Sequence, residues 1–422
     1  YSGGGPLYPD LLWWYVSYYG FATYNQFFRY TDPRDSTVGV DETGPYLGHS
    51  LSLKGTVQIG EDLKVNTFYT ESPVTIDNTS GGWLYRRTQR SAEWHRDQGA
   101  DYSVASNFSY IMNEEMFLEG RVFTRSSVLK NLPQMATDYA VAAQTEGPTY
   151  WSNAGTWIWG TCWSRIISER NSDTYAVALN YLMDTDSMGY HDIKIGFEYS
   201  DLWALDESST WKVGGQDIGV SSIYGYWFDD WRLANPLETT VYENVLPAEI
   251  HSKYYSFYIQ DSIEVNDELT LNIGLRMDPN ALVNNQDNDI VSSGVFDSIA
   301  PRLGFVYVVG DSGLSLRGSY GRYYDQYDLY IAQDFTVFPT PETQYYYQWD
   351  PAAFDWALQY VANFGTATSP HSIEDSFTQQ FTDEISIGFD YQFNANMAIS
   401  ATGVYRAYKD TTIAEDVDEN GY

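Results

Sequence analysis

One cysteine, Cys162, in 422 residues rules out an intrachain disulfide, and with it a small secreted scaffold stapled by several. Long apolar runs are missing too. No stretch of about 18 apolar residues occurs, which excludes a transmembrane helix. No basic segment leads into an apolar one, so any signal peptide is expected upstream or already removed. Basic residues are scarce: 23 Lys and Arg stand against 57 Asp and Glu, for a net charge of −34. A nucleic acid would meet repulsion rather than counterion release, so that partner class is excluded. The five histidines, His49, His95, His191, His251 and His371, show no pairing at zinc-ligand spacing, and Cys162 has no local Cys or His beside it. No nucleophile elbow, phosphate-cradling glycine loop or catalytic carboxylate pair stands out, so the chain is not read as an enzyme.

What is abundant is aromatic. The chain holds 38 Tyr, 20 Phe and 14 Trp, and 43% of its residues are hydrophobic. Acidic disordered chains are short of aromatics, so disorder is a poor reading. Period-two alternation recurs throughout, while helical periodicity is nearly absent. Leu51, Leu53, Gly55, Val57 and Ile59 alternate with Ser52, Lys54, Thr56 and Gln58. Ile193, Ile195, Phe197 and Tyr199 alternate with Lys194 and Glu198, and Leu269, Leu271, Ile273 and Leu275 with Thr270, Asn272 and Arg276. Polar positions such as Lys54, Arg121 and Arg317 are therefore expected on the face opposite the apolar one.

A soluble sandwich also alternates, so two further features decide. The strands run to about ten residues or more, the length of membrane strands rather than soluble ones. Connections alternate short and long: tight turns at Gly60-Glu61-Asp62, Asn113-Glu114, 184–190, Asn266-Asp267-Glu268, Gly310-Asp311-Ser312-Gly313 and Asn394-Ala395-Asn396 are separated by long segments at 71–101, 127–171, 201–250, 279–300 and 324–382. That rhythm belongs to outer-membrane barrels, with periplasmic turns and large extracellular loops. Aromatic clusters at Trp13-Trp14-Tyr15, Tyr254-Tyr255 and Tyr320 with Tyr323 and Tyr324 fit interfacial girdles. The expected fold is all-β: an antiparallel transmembrane β-barrel of outer-membrane type in one domain over 1–422. About thirteen strands are expected, beginning near 11–22, with the first strand's partner before residue 1. An odd count and a non-strand ending at Asp416–Tyr422 lead to the expectation of part of a larger barrel.

Specific residues then carry a resemblance. Gly4-Gly5-Pro6 with Leu11-Leu12-Trp13-Trp14-Tyr15, the strand His191-Asp192-Ile193-Lys194-Ile195-Gly196-Phe197-Glu198-Tyr199, and Tyr258-Ile259-Gln260-Asp261 before Leu269-Thr270-Leu271-Asn272 come in order. Pro301-Arg302-Leu303-Gly304-Phe305 and Leu316-Arg317-Gly318-Ser319-Tyr320-Gly321-Arg322 follow, with Phe381-Thr382-Asp383-Glu384 opening a later strand. In this order and spacing the chain resembles TonB-dependent outer-membrane receptors of the Oar-like group. The resemblance implies a barrel of twenty-two strands, an internal plug, an N-terminal carboxypeptidase-regulatory-like domain, and energised import or handling of a peptide, oligosaccharide or other sizeable ligand. No plug, TonB box, N-terminal domain or final strands are recognisable, so coupling to the TonB complex would use a region outside this chain. Outer-membrane lipid and lipopolysaccharide, and a surface lipoprotein or other assembly partner, complete the implied partners. A structural or adhesive barrel in a surface assembly is the rival reading, and a soluble all-β carbohydrate-binding protein a more distant one.

Two candidate sites remain. Trp151, Trp157 and Trp159, with Tyr150 and Trp163, crowd one long segment; Tyr346 and Trp349, with Tyr345, Tyr347 and Trp356, crowd another. Aromatic platforms beside acidic groups could stack on sugars or hold cationic peptides. The ordinary alternative, that they pack the loops into small cores, is favoured. Asp416, Asp418 and Asn420, followed by Gly421, carry the oxygen spacing of a calcium loop whose terminal bidentate Glu would lie past Tyr422. Calcium is thus the one cofactor the sequence hints at, and chance would produce such spacing easily in an acidic loop.

Overall fold

The computed structural model describes residues 1–26, 30–31, 39–40, 43–79, 87–88, 94–99, 101–133, 150–152, 157–159, 165–185, 188–209, 226–228, 238–243, 248–284, 289–329, 342–350, 355–364, 373 and 377–411. Among them, fourteen long strands form one antiparallel meander in which each strand pairs with the next. They are β1 (Ser2–Tyr8), β2 (Leu12–Gln26), β3 (Thr43–Ile59), β4 (Leu63–Glu71), β5 (Tyr102–Ile111), β6 (Met116–Pro133) and β7 (Arg165–Thr185). The wall continues with β8 (Gly189–Ser209), β9 (Ala248–Asn266), β10 (Leu269–Met277), β11 (Ile299–Val308), β12 (Leu314–Tyr324), β13 (Phe381–Asn394) and β14 (Met397–Lys409). Among the described residues no ladder joins β1 to β14.

The fourteenth strand corrects the sequence-based count. Ser2–Tyr8 is itself the hairpin partner of β2, with Gly4 opposite Tyr15 and Pro6 opposite Trp13. The segment Pro6-Leu7-Tyr8-Pro9-Asp10 reads as a turn because Pro lacks an N–H and Asp favours turns, which places the expected partner before residue 1. Here the turn is confined to residues 9–11, and Ser2–Tyr8, Pro6 included, forms a strand that pairs with β2 alone among the described residues, where a missing donor is tolerated.

All the short turns lie at one end of the wall, and the sequence built several of them with one device. The Asn113 side-chain oxygen accepts from the backbone N–H groups of Glu115 and Met116, both at 2.9 Å. Asn266 does the same for Glu268 and Leu269 at 2.9 Å, and Asn394 for Asn396 at 2.9 Å. Each side chain thus replaces a backbone turn acceptor. Gly189 has φ +84°, and a Cβ there would lie 2.0 Å from the Glu264 carbonyl oxygen, so only glycine fits.

At the other end β6, β7 and β8 run on for 18, 21 and 21 residues. The alternation had suggested shorter strands there. Above the apolar band both faces are polar, as in Glu169-Arg170-Asn171-Ser172-Asp173, so pairing persists while the pattern vanishes.

Candidate functional site

The wall has two chemically different faces, and register fixes which residue meets which. On one face Leu179, Ile195, Ile259 and Leu275 are successive cross-strand partners on β7 to β10. Ile195, Ile259 and Ile387 are 51%, 49% and 68% exposed. Few hydrophobic side chains are buried among the described residues; the apolar ones cover the outside instead. Above that row sit Val177, Phe197 and Phe257, with the two rings 5.1 Å apart. Above these, Tyr175, Tyr199 and Tyr255 form a ribbon with centroid spacings of 6.4 and 5.0 Å. On β9 the outward positions Tyr255 to Val265 span ten residue steps. At ~3.3 Å per residue and a tilt of ~40° they cover a height of ~25 Å, the thickness of the apolar band of outer-membrane barrels. This face is a lipid-facing surface with an aromatic rim at its extracellular edge. One polar pair interrupts it near the short-turn end, where His191 Nδ1 lies 2.7 Å from Asp261 Oδ2.

The other face is the lumen, and it is polar. Lys194 donates to Glu119 at 2.6 Å, and Asn180 donates to the same carboxylate at 3.2 Å. Arg121 reaches Glu198 at 2.9 Å across two strand intervals. Arg317 binds Asp390 and also donates to Thr402 at 2.7 Å, while Arg406 pairs with Glu384. Lys54, Arg121 and Arg317 all fall on this face, as the alternation requires.

At the extracellular end of the lumenal face a buried polar cluster forms where strands β9 and β10 meet returning loop segments. Asp278, 2% exposed, accepts from Arg276 Nε and from the Tyr254 hydroxyl, both at 2.7 Å. Arg276 also donates to the Tyr254 oxygen at 2.8 Å, and its guanidinium lies 5.6 Å from the centre of the Tyr258 ring. The backbone N–H of Asp278 donates to Ser298 Oγ at 2.9 Å. Gln379, 4% exposed, donates to the Asp325 carbonyl at 2.8 Å and accepts from Ser293 Oγ at 2.7 Å. Ser252 donates to the Tyr327 carbonyl at 2.9 Å, beside a small apolar core of Ala204, Ile250, Leu282 and Tyr327. Segments 325–329 and 377–380, the two feet of the long connection between β12 and β13, are thereby tied to one place on the wall. A buried carboxylate this well satisfied holds its geometry, because each lost partner would leave a desolvated charge. No local motif pointed to it: its members lie at 252, 254, 276, 278, 293, 298, 325 and 379. The one available signal was an Arg-x-Asp immediately after a regular strand.

The aromatic candidates stand on short paired strands. Trp151 lies in Tyr150–Ser152 and both Trp157 and Trp159 in Trp157–Trp159, which pair antiparallel with Trp151 opposite Ile158 and Tyr150 opposite Trp159. Tyr346 and Trp349 lie in Glu342–Asp350, the middle of a three-stranded sheet, with Tyr346 opposite Thr240 and Trp349 opposite Trp356. The backbone thus brings the first three together in one hairpin and the other two into a separate sheet. The calcium candidates Asp416, Asp418 and Asn420 fall outside the described residues. Among the described residues no group of three or more His, Cys, Asp or Glu is placed to hold a metal ion.

Against known proteins, the outer membrane beta barrel domain family matches residues 27–297. Among solved structures the chain is similar to the outer membrane transporter YddB from Escherichia coli, at 12% identity and a TM-score of 0.58, over 96% of this chain and 45% of that one. It is also similar to the siderophore receptor PirA from Acinetobacter baumannii, at 13% identity and a TM-score of 0.51, over 97% of this chain and 49% of that one. At such identities the likeness is one of fold. The chain spans about half the length of these structures. No curated protein matches it.

Proposed function

This chain belongs to the outer membrane beta barrel domain family and lies in the bacterial outer membrane, and from that premise we propose that it is the barrel wall of a TonB-dependent receptor of the Oar-like group. The intact protein would import or handle a peptide, oligosaccharide or similar sizeable ligand, with a plug, an N-terminal domain and further strands contributed from outside residues 1–422. The observation that carries this reading is the pairing of a lipid-facing apolar band with a polar lumen that is ion-paired across strands rather than packed shut. A passive anchor needs the band but has no use for such a lumen. The buried cluster at Asp278 and Gln379 supports it further, since loop feet held in one place suit a mouth that presents recognition surfaces. The aromatic hairpin at Trp151, Trp157 and Trp159 and the sheet carrying Tyr346 and Trp349 are the surfaces proposed to meet the ligand, and Asp416, Asp418 and Asn420 are kept as the proposed calcium loop.

The test is binding of the complete protein, purified in detergent, to the periplasmic domain of TonB from the same cells. Saturable binding that is lost when the segment upstream of this chain is deleted supports energised import. A complete protein that carries no plug and binds no TonB overturns it and leaves a scaffold or passive pore.

A further inference from the structure

Midway down the lumenal wall, β9 to β13 carry side chains too small to cover their own backbone. Ser262, Asn272, Gly304, Ser319 and Ser386 are successive cross-strand partners. The next row toward the mouth runs Gln260, Gly274, Arg302 and Gly321. The two rows floor a groove of 420 Å³. Tyr323 folds back across Gly321, whose added Cβ would lie 2.7 Å from the Tyr323 hydroxyl. The Arg302 guanidinium rests on that ring, 4.8 Å from its centre, and its Nε is buried without an acceptor. Neighbouring carboxylates are engaged elsewhere, Asp390 by Arg317 and Glu384 by Arg406. Among the described residues Arg302 has no carboxylate partner.

We propose that this groove is a carboxylate-binding site for small organic anions in the lumen, with Arg302 as the donor and Tyr323 as the shelf that aims it. A guanidinium held over an aromatic face keeps its donors in a fixed fork that matches a carboxylate. The amides of Gln260 and Asn272 border the same groove and supply further donors. The small residues matter as much as the arginine, because only they leave room beside it. The proposal rests on reading this face as the lumen of a transport protein.

The experiment uses the complete protein in detergent, with succinate as probe and neutral succinamide as control. Phenylglyoxal modification of each arginine is followed by mass spectrometry, and succinate binding by calorimetry. Succinate is expected to protect Arg302 while succinamide does not, and Arg302→Gln is expected to weaken succinate binding about tenfold, the effect of one charge-assisted hydrogen bond. Arg302→Lys should fall between, and Tyr323→Leu should lose affinity with the charge intact. Retained cold mobility on detergent gels shows that each variant is folded. Equal protection by succinamide, or unchanged binding in Arg302→Gln, overturns the proposal. So does an Arg302 that is unreactive before any anion is added, since a carboxylate of the protein itself would then hold it. Failure here with TonB binding intact removes the site and leaves the receptor reading standing; loss of TonB binding with protection intact does the reverse.

Discussion

Arginine in place of Ile259 would put a cation at the middle of the apolar band. Ile259 lies between Ile195 and Leu275 on the outward face, and the three are 49%, 51% and 38% exposed in the bare protein. In the membrane those surfaces meet acyl chains. A charge at the bilayer midplane of a barrel costs about 2–4 kcal/mol, which is roughly thirtyfold to several-hundredfold in the folded fraction. The matched control is Ser262→Arg, three residues along the same strand. Ser262 points into the wet lumen opposite Asp192, so its arginine should cost little and gain a partner. Both variants of the complete protein would be refolded into phospholipid vesicles and unfolded with urea, with the folded fraction read by gel mobility without boiling. A much lower midpoint for Ile259→Arg than for Ser262→Arg is the expected result. Equal midpoints, or the reverse order, would refute the assignment of faces on which everything else depends.

Asp278→Ala should destabilise the protein by about 3–5 kcal/mol, because it strands Arg276 and the Tyr254 hydroxyl without their acceptor; a melting curve measures it. Gln379→Ala removes the tie between the Asp325 carbonyl and Ser293 and should cost about 1–3 kcal/mol, with protease cleavage within 325–329 and 377–380 accelerating while the rest of the wall resists. Gly189→Ala should lower the urea midpoint by the equivalent of about 1–3 kcal/mol, since both its φ of +84° and the Glu264 carbonyl oppose a side chain. Wild-type melting of that variant would show that the turn relaxes freely.

How much of this was legible in the sequence follows from where water is. Within the apolar band, lipid on one side and a wet lumen on the other force strict alternation, and the strands at 51–59, 193–199 and 269–275 could be read directly. Outside it the constraint disappears, so the upper parts of β6, β7 and β8 were invisible although their ladders run to Pro133, Arg165 and Ser209. Proline misled at the start of the chain: a turn read over residues 6–10 hides that Pro6 lies within the strand Ser2–Tyr8, which only pairing with β2 reveals. The Asp278 cluster and the Arg302 groove were hidden for another reason. Each is assembled across strands from residues up to about a hundred positions apart, such as Asp278 and Gln379. Small residues such as Gly274, Gly304 and Gly321 take their meaning from the partner opposite.

The sorting of charge between the two faces follows from the same physics and bears on what the lumen can accept. The chain carries a net charge of −34, which would repel any anion at a distance. Yet Lys54, Arg121, Lys194, Arg302, Arg317 and Arg406 all occupy lumenal positions, because the opposite face of each strand is closed to them by the cost of a cation in lipid. Cations that do face outward, such as Lys253, Arg322 and Lys409, stand toward the extracellular end of their strands, where Arg322 lies beside Phe381 and is held by two hydrogen bonds of 2.8 and 2.9 Å to Asp383. Folding into a membrane therefore concentrates a scarce charge on the inner surface. Most of those cations are neutralised where they stand, Arg121 by Glu198 and Lys194 by Glu119. An anion in the lumen would thus feel little net attraction along the wall and would be held where a cation is left unmatched; among the described residues Lys54 and Arg302 are lumenal cations without a carboxylate partner, and of the two only Arg302 lines the groove. Reversing the sign at that position, with Arg302→Glu, should convert the groove from one that selects succinate over succinamide to one that rejects it; a variant that still preferred succinate would place the selectivity in the wall as a whole.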